Sequence, residues 1–307
     1  MKTQTTGNHS YEVIIIGGSY AGLSAAMALG RSLRKVLIID HETPCNKPTP
    51  HSHNFLTQDG KAPVVIANLA KEQVLAYNTV DIKTDLAINC TFGDNGFKVE
   101  TKSGNIFHSK KILLATGIKD ILPNIDGFAE CWGKSIIHCP YCHGFEYRHK
   151  KTGILADGDA AMHHAQLVKN LTDKLSIFSN GRTNLTSEQL DLLIRNDVAV
   201  IETPIKKIKH QDGYIEHLII EDGTMIELDA LYARLPFEQH SDIPAKLGCK
   251  LDDHGFISVN KLQETSVEGV FAAGDNSSGM RSVANAVSTG NLAGAMINKK
   301  LCDESFV

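Results

Sequence analysis

The sequence predicts an α/β protein of the dinucleotide-binding kind, and three segments predict it. A β-branched run, Tyr11-Glu-Val-Ile-Ile-Ile16, leads straight into Gly17-Gly18-Ser19-Tyr20-Ala21-Gly22 and an Ala/Leu-patterned helix. A second strand, turn, helix and strand recur between Thr152 and Phe178. Near the C-terminus, Glu268-Gly-Val-Phe-Ala-Ala-Gly-Asp275 reads as a strand ending in Gly-Asp, and another Ala/Gly-rich helix follows.

Bulk composition sets the frame. With 307 residues the chain can form two domains or one large one. A net charge of -4 gives no footprint for nucleic acid or an anionic membrane. No apolar run approaches the roughly 20 residues of a membrane span. Met1 to Ser10 is polar, lacks the apolar core of a signal peptide and reads as a disordered tail. The seven cysteines are scattered rather than framework-spaced. A cytoplasmic location is expected, where a Cys-x-x-Cys pair is redox-active or metal-binding rather than a permanent staple.

The N-terminal elements follow in order. Tyr11–Ile16 has the apolar continuity of a buried parallel strand. Leu23 to Leu33 reads as a helix packed on a sheet, and Lys35–Asp40 as the second strand. Asp40 lies 23 residues after Gly17, close to the spacing of about 20 for an acid that takes ribose hydroxyls. Gly17 makes the tight turn, and the helix N-terminus, with Ser19, Tyr20, Ala21 and Gly22, faces a pyrophosphate. Ser19 stands where a second glycine is usual; its Cβ crowds the site slightly while its backbone N–H survives. A glycine turn alone would suit other α/β folds. The strand, helix, second strand and terminal acid together specify a dinucleotide site.

At the other end, Arg281-Ser282-Val283 opens a helix running to about Lys300. Together with the N-terminal unit, Gly274-Asp275 and this helix resemble the FAD domain of the two-dinucleotide-binding flavoprotein disulfide reductases. The resemblance implies FAD as cofactor, with Asp275 on the ribityl chain and the helix start at Ser282 and Val283 aimed at the flavin pyrimidine ring. A positive helix end there favours the anion of reduced flavin. Ala115-Thr116-Gly117, ending the strand Lys111–Ala115, matches the third FAD contact of the same family.

Over residues 11 to 300 the chain resembles the low-molecular-weight thioredoxin reductases. The loop Pro44-Cys45-Asn46 and His51 to Gly60 matches the one that wraps the ribityl and isoalloxazine in relatives. It implies Asn46 and His53 as FAD neighbours, with His41 beside Asp40. The implied architecture has two Rossmann-like domains. A discontinuous FAD domain takes 1–117 and 240–307, and an inserted central domain takes 118–239. Pro123 and Gly127 mark one crossing, Pro236 and Pro244 the other. The family is typically homodimeric, so a homodimer is expected.

The central domain departs from the family at its own nucleotide site. In Thr152-Gly-Ile-Leu-Ala-Asp-Gly-Asp-Ala-Ala161, Ala156 and Asp157 take the places of the first two glycines, and Gly158 remains. Asp157 and Asp159 put negative charge where a pyrophosphate should sit; like charges about 4 Å apart repel by roughly 4 kcal/mol at an effective dielectric near 20. The family's arginines for the 2′-phosphate are replaced by Ser179-Asn180-Gly181, with Arg182 one place late. The expectation is that NADPH or NADH binds weakly or not at all.

His138-Cys139-Pro140-Tyr141-Cys142-His143-Gly144 carries the chemistry. The pair admits four readings: a zinc site, a structural pair, a redox disulfide remote from flavin, and a flavin-coupled disulfide. Zinc wants four ligands, and neither a second Cys-x-x-Cys nor a His-x-x-x-His is present in the sequence; no metal is expected. Beside the implied FAD, the resemblance favours the flavin-coupled disulfide. It implies that Cys142 faces the flavin and Cys139 meets the substrate. His143 stands where thioredoxin reductases carry an acid–base aspartate. A histidine titrating near neutrality can take a proton from an incoming thiol. His138 is the second candidate.

Cys-Pro-Tyr-Cys-His-Gly-Phe-Glu is also similar to the flavin dithiol oxidases, in which a dithiol reduces the disulfide, electrons pass to FAD, and O2 reoxidises it to give H2O2. The leading expectation is an FAD-dependent dithiol/disulfide oxidoreductase without efficient NADPH use, working as an oxidase or fed by another donor such as ferredoxin. Its partner would be a small-molecule thiol or a thioredoxin-like protein. The alternatives are an NADPH-dependent thioredoxin reductase with a divergent site and a non-catalytic flavin redox sensor.

Overall fold

The computed structural model describes residues 10–93 and 96–306. The stretch 1–9, most of the expected disordered tail, lies outside the described residues, and Ser10 already belongs to the first strand.

The chain opens with β1 (Ser10–Ile16), α1 (Tyr20–Arg31) and β2 (Val36–Asp40). After a long loop come α2 (Pro63–Leu75) and β3 (Val80–Thr84), then β4 (Ala87–Gly93), β5 (Gly96–Thr101) and β6 (Ile106–Leu114). Next are β7 (Ile118–Asp120), α3 (Phe128–Cys131), β8 (Ile136–Ile137) and α4 (Pro140–His143). A second βαβ unit follows, made of β9 (Thr152–Leu155), α5 (Gly158–Lys169) and β10 (Leu175–Phe178), then α6 (Ser187–Arg195) and β11 (Ala199–Ile201). The strands β12 (Ile205–Gln211), β13 (Tyr214–Ile220), β14 (Met225–Glu227) and β15 (Ala230–Ala233) come next. The chain returns through β16 (Phe237–Gln239), α7 (Ile243–Lys246) and β17 (Val270–Ala272), and ends in α8 (Val283–Ser305).

The first sheet runs β3-β2-β1-β6-β5-β4. One edge of β6 is shared: β5 pairs its first half, and β17 pairs Ile112–Leu114 in parallel. The C-terminal strand therefore completes the N-terminal sheet, which makes this Rossmann-like unit discontinuous. The second sheet, β11-β10-β9-β15-β8, is parallel throughout. Between the sheets, β7 and β16 pair antiparallel, Ile118 opposite Gln239 and Asp120 opposite Phe237. This ribbon is where the chain leaves the first sheet and returns to it.

Packing explains the patterns. Val13 to Ile16 are all buried because helices and loops cover both faces of the sheet. α1 starts at Tyr20, three residues before the expected Leu23, because the glycine turn ends at the N-cap Ser19. It stops at Arg31, and Leu33 lies outside it with φ 58°. β17 keeps only three residues of the expected strand, and α8 continues past Lys300 to Ser305.

The α1–α8 contact fixes the C-terminal helix over the N-terminal sheet. It is made of small residues: a Cβ on Gly290 would lie 2.1 Å from the Ala21 carbonyl oxygen, and one on Gly294 2.6 Å from that of Ala25. Replacing Gly290 by alanine improves helix propensity by about 1 kcal/mol. The clash is with backbone, which cannot swing away, so overpacking of about 1–3 kcal/mol or more decides the sign. Gly290→Val is expected to lower the thermal midpoint measurably in a circular-dichroism melt, whereas Gly279→Ala, whose new Cβ meets only the Phe256 ring at 3.6 Å, an ordinary contact, should leave it nearly unchanged.

Candidate active site

The turn after β1 builds one end of the site. Gly17 has φ +109°, and a Cβ there would lie 2.2 Å from the Ala115 carbonyl oxygen, so glycine is required for this approach. Gly22 serves packing: its Cβ would meet the Gly17 carbonyl oxygen at 1.9 Å. Ser19 caps α1 without a side-chain capping bond, so its hydroxyl consumes none of the first-turn N–H groups. Gly18, which the sequence reading passed over, donates its N–H to Asp40 Oδ1 at 3.1 Å and orients that carboxylate. Its signal was the Gly-Gly pair itself.

Two adjoining cavities share this turn. The wider one, about 590 Å³, is lined by Gly17, Ser19, Asp40, His41 and Asn46. The narrower, about 170 Å³, runs from Ser19, Tyr20, Ala21 and Asn46 past His53 and Ala115-Thr116-Gly117. It continues by Gly274, Asp275, Ser282 and Val283 to His138, Cys142 and His143. Of the residues singled out in sequence, only Gly22 and Cys139 lie off these two cavities. Asn46 is held in place by donating to Tyr20 Oη at 3.3 Å, while Tyr20 donates to the Pro63 carbonyl at 3.2 Å. Ser282 accepts from the Asn285 N–H at 3.1 Å and starts α8 at the cavity wall.

Both thiols of the Cys-x-x-Cys pair are free, with Cys139 as the N-cap of the short α4 and Pro140 in its first position. A hydrogen bond from the Cys142 thiol pulls Cys139 down to about 7 against the effect of burial, and the N–H groups of Cys142 and Tyr141 help. The same bond and burial push Cys142 upward. The shared proton is thus drawn toward the cavity-facing sulfur, and Cys139 is the more acidic thiol of the pair.

The histidines correct the expectation of titration near neutrality. Burial, reinforced by nearby His53, pushes His143 down to about 4, and it is a neutral proton acceptor at pH 7. Burial and the Arg281 charge push His138 to about 3; its Nε2 is buried without a partner and its ring sits 6.4 Å from that of Trp132. His53 lies between two carboxylates, Nε2 3.6 Å from Glu146 Oε1 and Nδ1 3.6 Å from Asp59 Oδ1.

The turn after β9 carries a hydrogen-bonded carboxylate at the start of α5. Asp157 accepts from Thr183 Oγ1 at 2.6 Å, from the Asn184 N–H at 3.0 Å and from Asn184 Nδ2 at 2.6 Å. Burial raises its pKa, but these hydrogen bonds outweigh that and keep it below the usual carboxylate range. Asp159 accepts from Gln189 Nε2 at 2.8 Å. The loop that follows β10 is thereby drawn onto the turn.

Among the described residues, no cluster of three or more His, Cys, Asp or Glu side chains is arranged to hold a metal ion, and no helix is long and apolar enough to cross a membrane. The cleft fits FAD. The Cβ-free turn at Gly17 and the first turn of α1 would hold the pyrophosphate, Asp40 the adenosine ribose and Asp275 the ribityl chain; the ring would lie toward Cys142.

Known proteins resemble this chain in sequence and fold. The chain is 32% identical to thioredoxin reductase tcpT of Claviceps purpurea over 94% of each, and 31% identical to thioredoxin reductase aclD of Aspergillus oryzae over 95% of this chain and 96% of the relative. An oxidoreductase from Agrobacterium tumefaciens superposes with a TM-score of 0.90 at 35% identity, covering 96% of this chain and 99% of the other. The model of the pyridine nucleotide-disulphide oxidoreductases matches residues 11–290, and the chain belongs to that family as an FAD-dependent, thioredoxin reductase-like enzyme.

Proposed function

We propose that this disulfide oxidoreductase takes electrons from a dithiol through Cys139 and Cys142 and does not use NADPH efficiently. The observation that carries the second half is the occupied turn after β9. A pyrophosphate arriving there meets the Asp157 carboxylate, already hydrogen-bonded to Thr183 and Asn184, ahead of the first turn of α5. Admitting it would break those bonds and bury a like charge beside phosphate. The inserted unit, residues 118–239, then serves to carry the dithiol rather than a second nucleotide.

The chain's own groups perform the exchange. With the pair oxidised, a substrate thiolate attacks Sγ of Cys139, and Cys142 leaves as the thiolate on the cavity side. The second substrate thiol loses its proton to His143 and attacks the substrate sulfur of the mixed disulfide. Substrate leaves as a disulfide, His143 passes the proton on to Cys142, and Cys139 is released as a thiolate, which its N–H contacts and the Cys142 thiol stabilise. Bound FAD supplies the two-electron acceptor for the reduced pair. Neutral His143 suits this direction because it accepts a proton without first losing one.

A second reading, an NADPH-dependent thioredoxin reductase, draws on the names of the curated relatives. Anaerobic stopped-flow mixing separates the two. Dithiothreitol is expected to bleach the flavin, with O2 restoring its colour, while NADPH and NADH leave it oxidised. Bleaching by NADPH at a catalytically useful rate overturns the NADPH-independent reading. Cys139→Ser and Cys142→Ser should each abolish bleaching by dithiol. His143→Phe should slow it by about a hundredfold, the lower range for loss of a general base.

The ionisation of Cys139 gives a pH prediction. Its lowered pKa places the thiolate above about pH 7 and the thiol below it. Alkylation of Cys139 in the reduced protein should therefore rise through about pH 7 and level off above, read by peptide mass spectrometry. A free thiol would keep rising to about 8.5.

A further inference from the structure

The exchange just described leaves a charged cluster in the cavity without a role. Asp120 lies in β7, in the ribbon between the two sheets, and Arg281 lies just before α8. They form a two-pronged pair, Nη1–Oδ1 and Nη2–Oδ2 both 2.8 Å. Only 8% of the Asp120 side chain and 15% of the Arg281 side chain is exposed. Arg281 Nε is buried with no hydrogen-bond partner and stands 3.9 Å from Asp275 Oδ2. The Cys45 thiol faces the same Asp275 oxygen at 3.7 Å. Asp120, Asp275 and Arg281 line the cavity with Cys142.

Resting on the dithiol-to-flavin reading, we propose that Arg281, clamped by Asp120, is a positioning residue that sets the charge felt by the Cys139–Cys142 pair. A guanidinium held on two prongs by a buried carboxylate cannot swing into solvent, so its field at the sulfurs is fixed. The clamp also spans the crossing ribbon and the α8 loop, which ties the dithiol unit to the flavin cleft. The field has the right sign: Arg281 favours the thiolate at both sulfurs, while Asp275 opposes it at Cys142. The remaining neighbours bring little charge. His138 and His143 are neutral, and burial keeps the Tyr232 hydroxyl protonated near Cys139. Cys45 is pushed up to about 12 by burial and Asp275 and stays a thiol, and Glu146 faces His53.

Two substitutions predict opposite shifts. Arg281→Gln removes the positive charge and should raise the pH midpoint of Cys139 alkylation. Asp120→Asn leaves the guanidinium uncompensated and should lower that midpoint. Arg281→Lys keeps the charge and should fall closer to the wild type than Arg281→Gln. The measurement is the rate of iodoacetamide alkylation of Cys139 in the reduced, full-length flavoprotein, from about pH 5 to about pH 10. Midpoints that do not move, or that move the same way in Arg281→Gln and Asp120→Asn, overturn the proposal, because simple loosening has no sign. If Arg281→Gln does not fold, Asp120→Asn decides: a lower midpoint supports the role, and an unchanged or higher one overturns it. Alkylation needs no electron transfer. Shifted midpoints in a phosphine-reduced protein whose flavin is not bleached by dithiols would therefore sink the functional reading alone. Unshifted midpoints in a protein that they do reduce would sink the positioning role alone.

Discussion

The site depends on how closely the turn after β1 approaches the end of β6. Gly17 lies where a Cβ would strike the Ala115 carbonyl oxygen at 2.2 Å, and the Ala115 N–H reaches Ile16 O at 2.8 Å. The third segment joins at the same point. Asn276, fully buried, donates to Leu114 O at 2.9 Å and to Thr116 Oγ1 at 3.3 Å, and the Ala273 N–H reaches Leu114 O at 3.1 Å. Three stretches far apart in the chain thus meet where three parallel strands end. In such a sheet a ligand sits in the crevice beyond the carboxyl ends of the strands, which is where both cavities open. Add a side chain at Gly17 and the strand ends part, so the cradle and the ribityl carboxylate lose their common origin.

From that junction the chemistry follows by electrostatics. The cavity gathers two carboxylates, one guanidinium and two histidines that burial keeps uncharged. A thiol pair beside such a set cannot hold two negative charges cheaply. One proton stays in the pair, and the hydrogen bond between the sulfurs places it on Cys142, which leaves Cys139 as the anion. On the proposed dithiol-to-flavin reading, the sulfur off the cavity is the one ready for exchange, and the sulfur at the cavity wall is the one that must be deprotonated to pass electrons inward. A neutral imidazole next in sequence is suited to that transfer.

What could be read in the sequence was local. The β1 run, the glycine turn and the acid ending β2 lie within thirty residues, and each is dictated by its own backbone geometry. The thiols and His143 were visible for the same reason. The Asp120–Arg281 clamp was not, because its partners are 161 residues apart and meet only when β17 returns to the first sheet. Nor was the protonation of His143, since burial, not residue type, pushes it down to about 4. The start of α1 was misplaced for a subtler cause. The regular Ala/Leu pattern begins at Leu23, whereas the first turn, Tyr20-Ala21-Gly22, continues the glycine turn at the cavity and reads as part of it.

On the proposed NADPH-independent reading, the central domain keeps a nucleotide fold without its ligand contacts. A parallel sheet needs its crossover helices to cover both faces, so β9, α5 and β10 stay under selection for packing whatever the turn binds. The turn itself carries α5's unsatisfied N–H groups and would be left open by simple loss of a phosphate. Here Asp157 stands at the N-cap of α5, where its negative charge complements the helix end, and its carboxylate also ties down Thr183 and Asn184. Charge-assisted hydrogen bonds of this kind contribute about 1.5 kcal/mol each at the low end. On that reading the residue that would repel a pyrophosphate is also the one that stabilises the turn without it. Removing the charge would not by itself recreate the site, because Ser179, Asn180 and Gly181 still offer no cation to a 2′-phosphate.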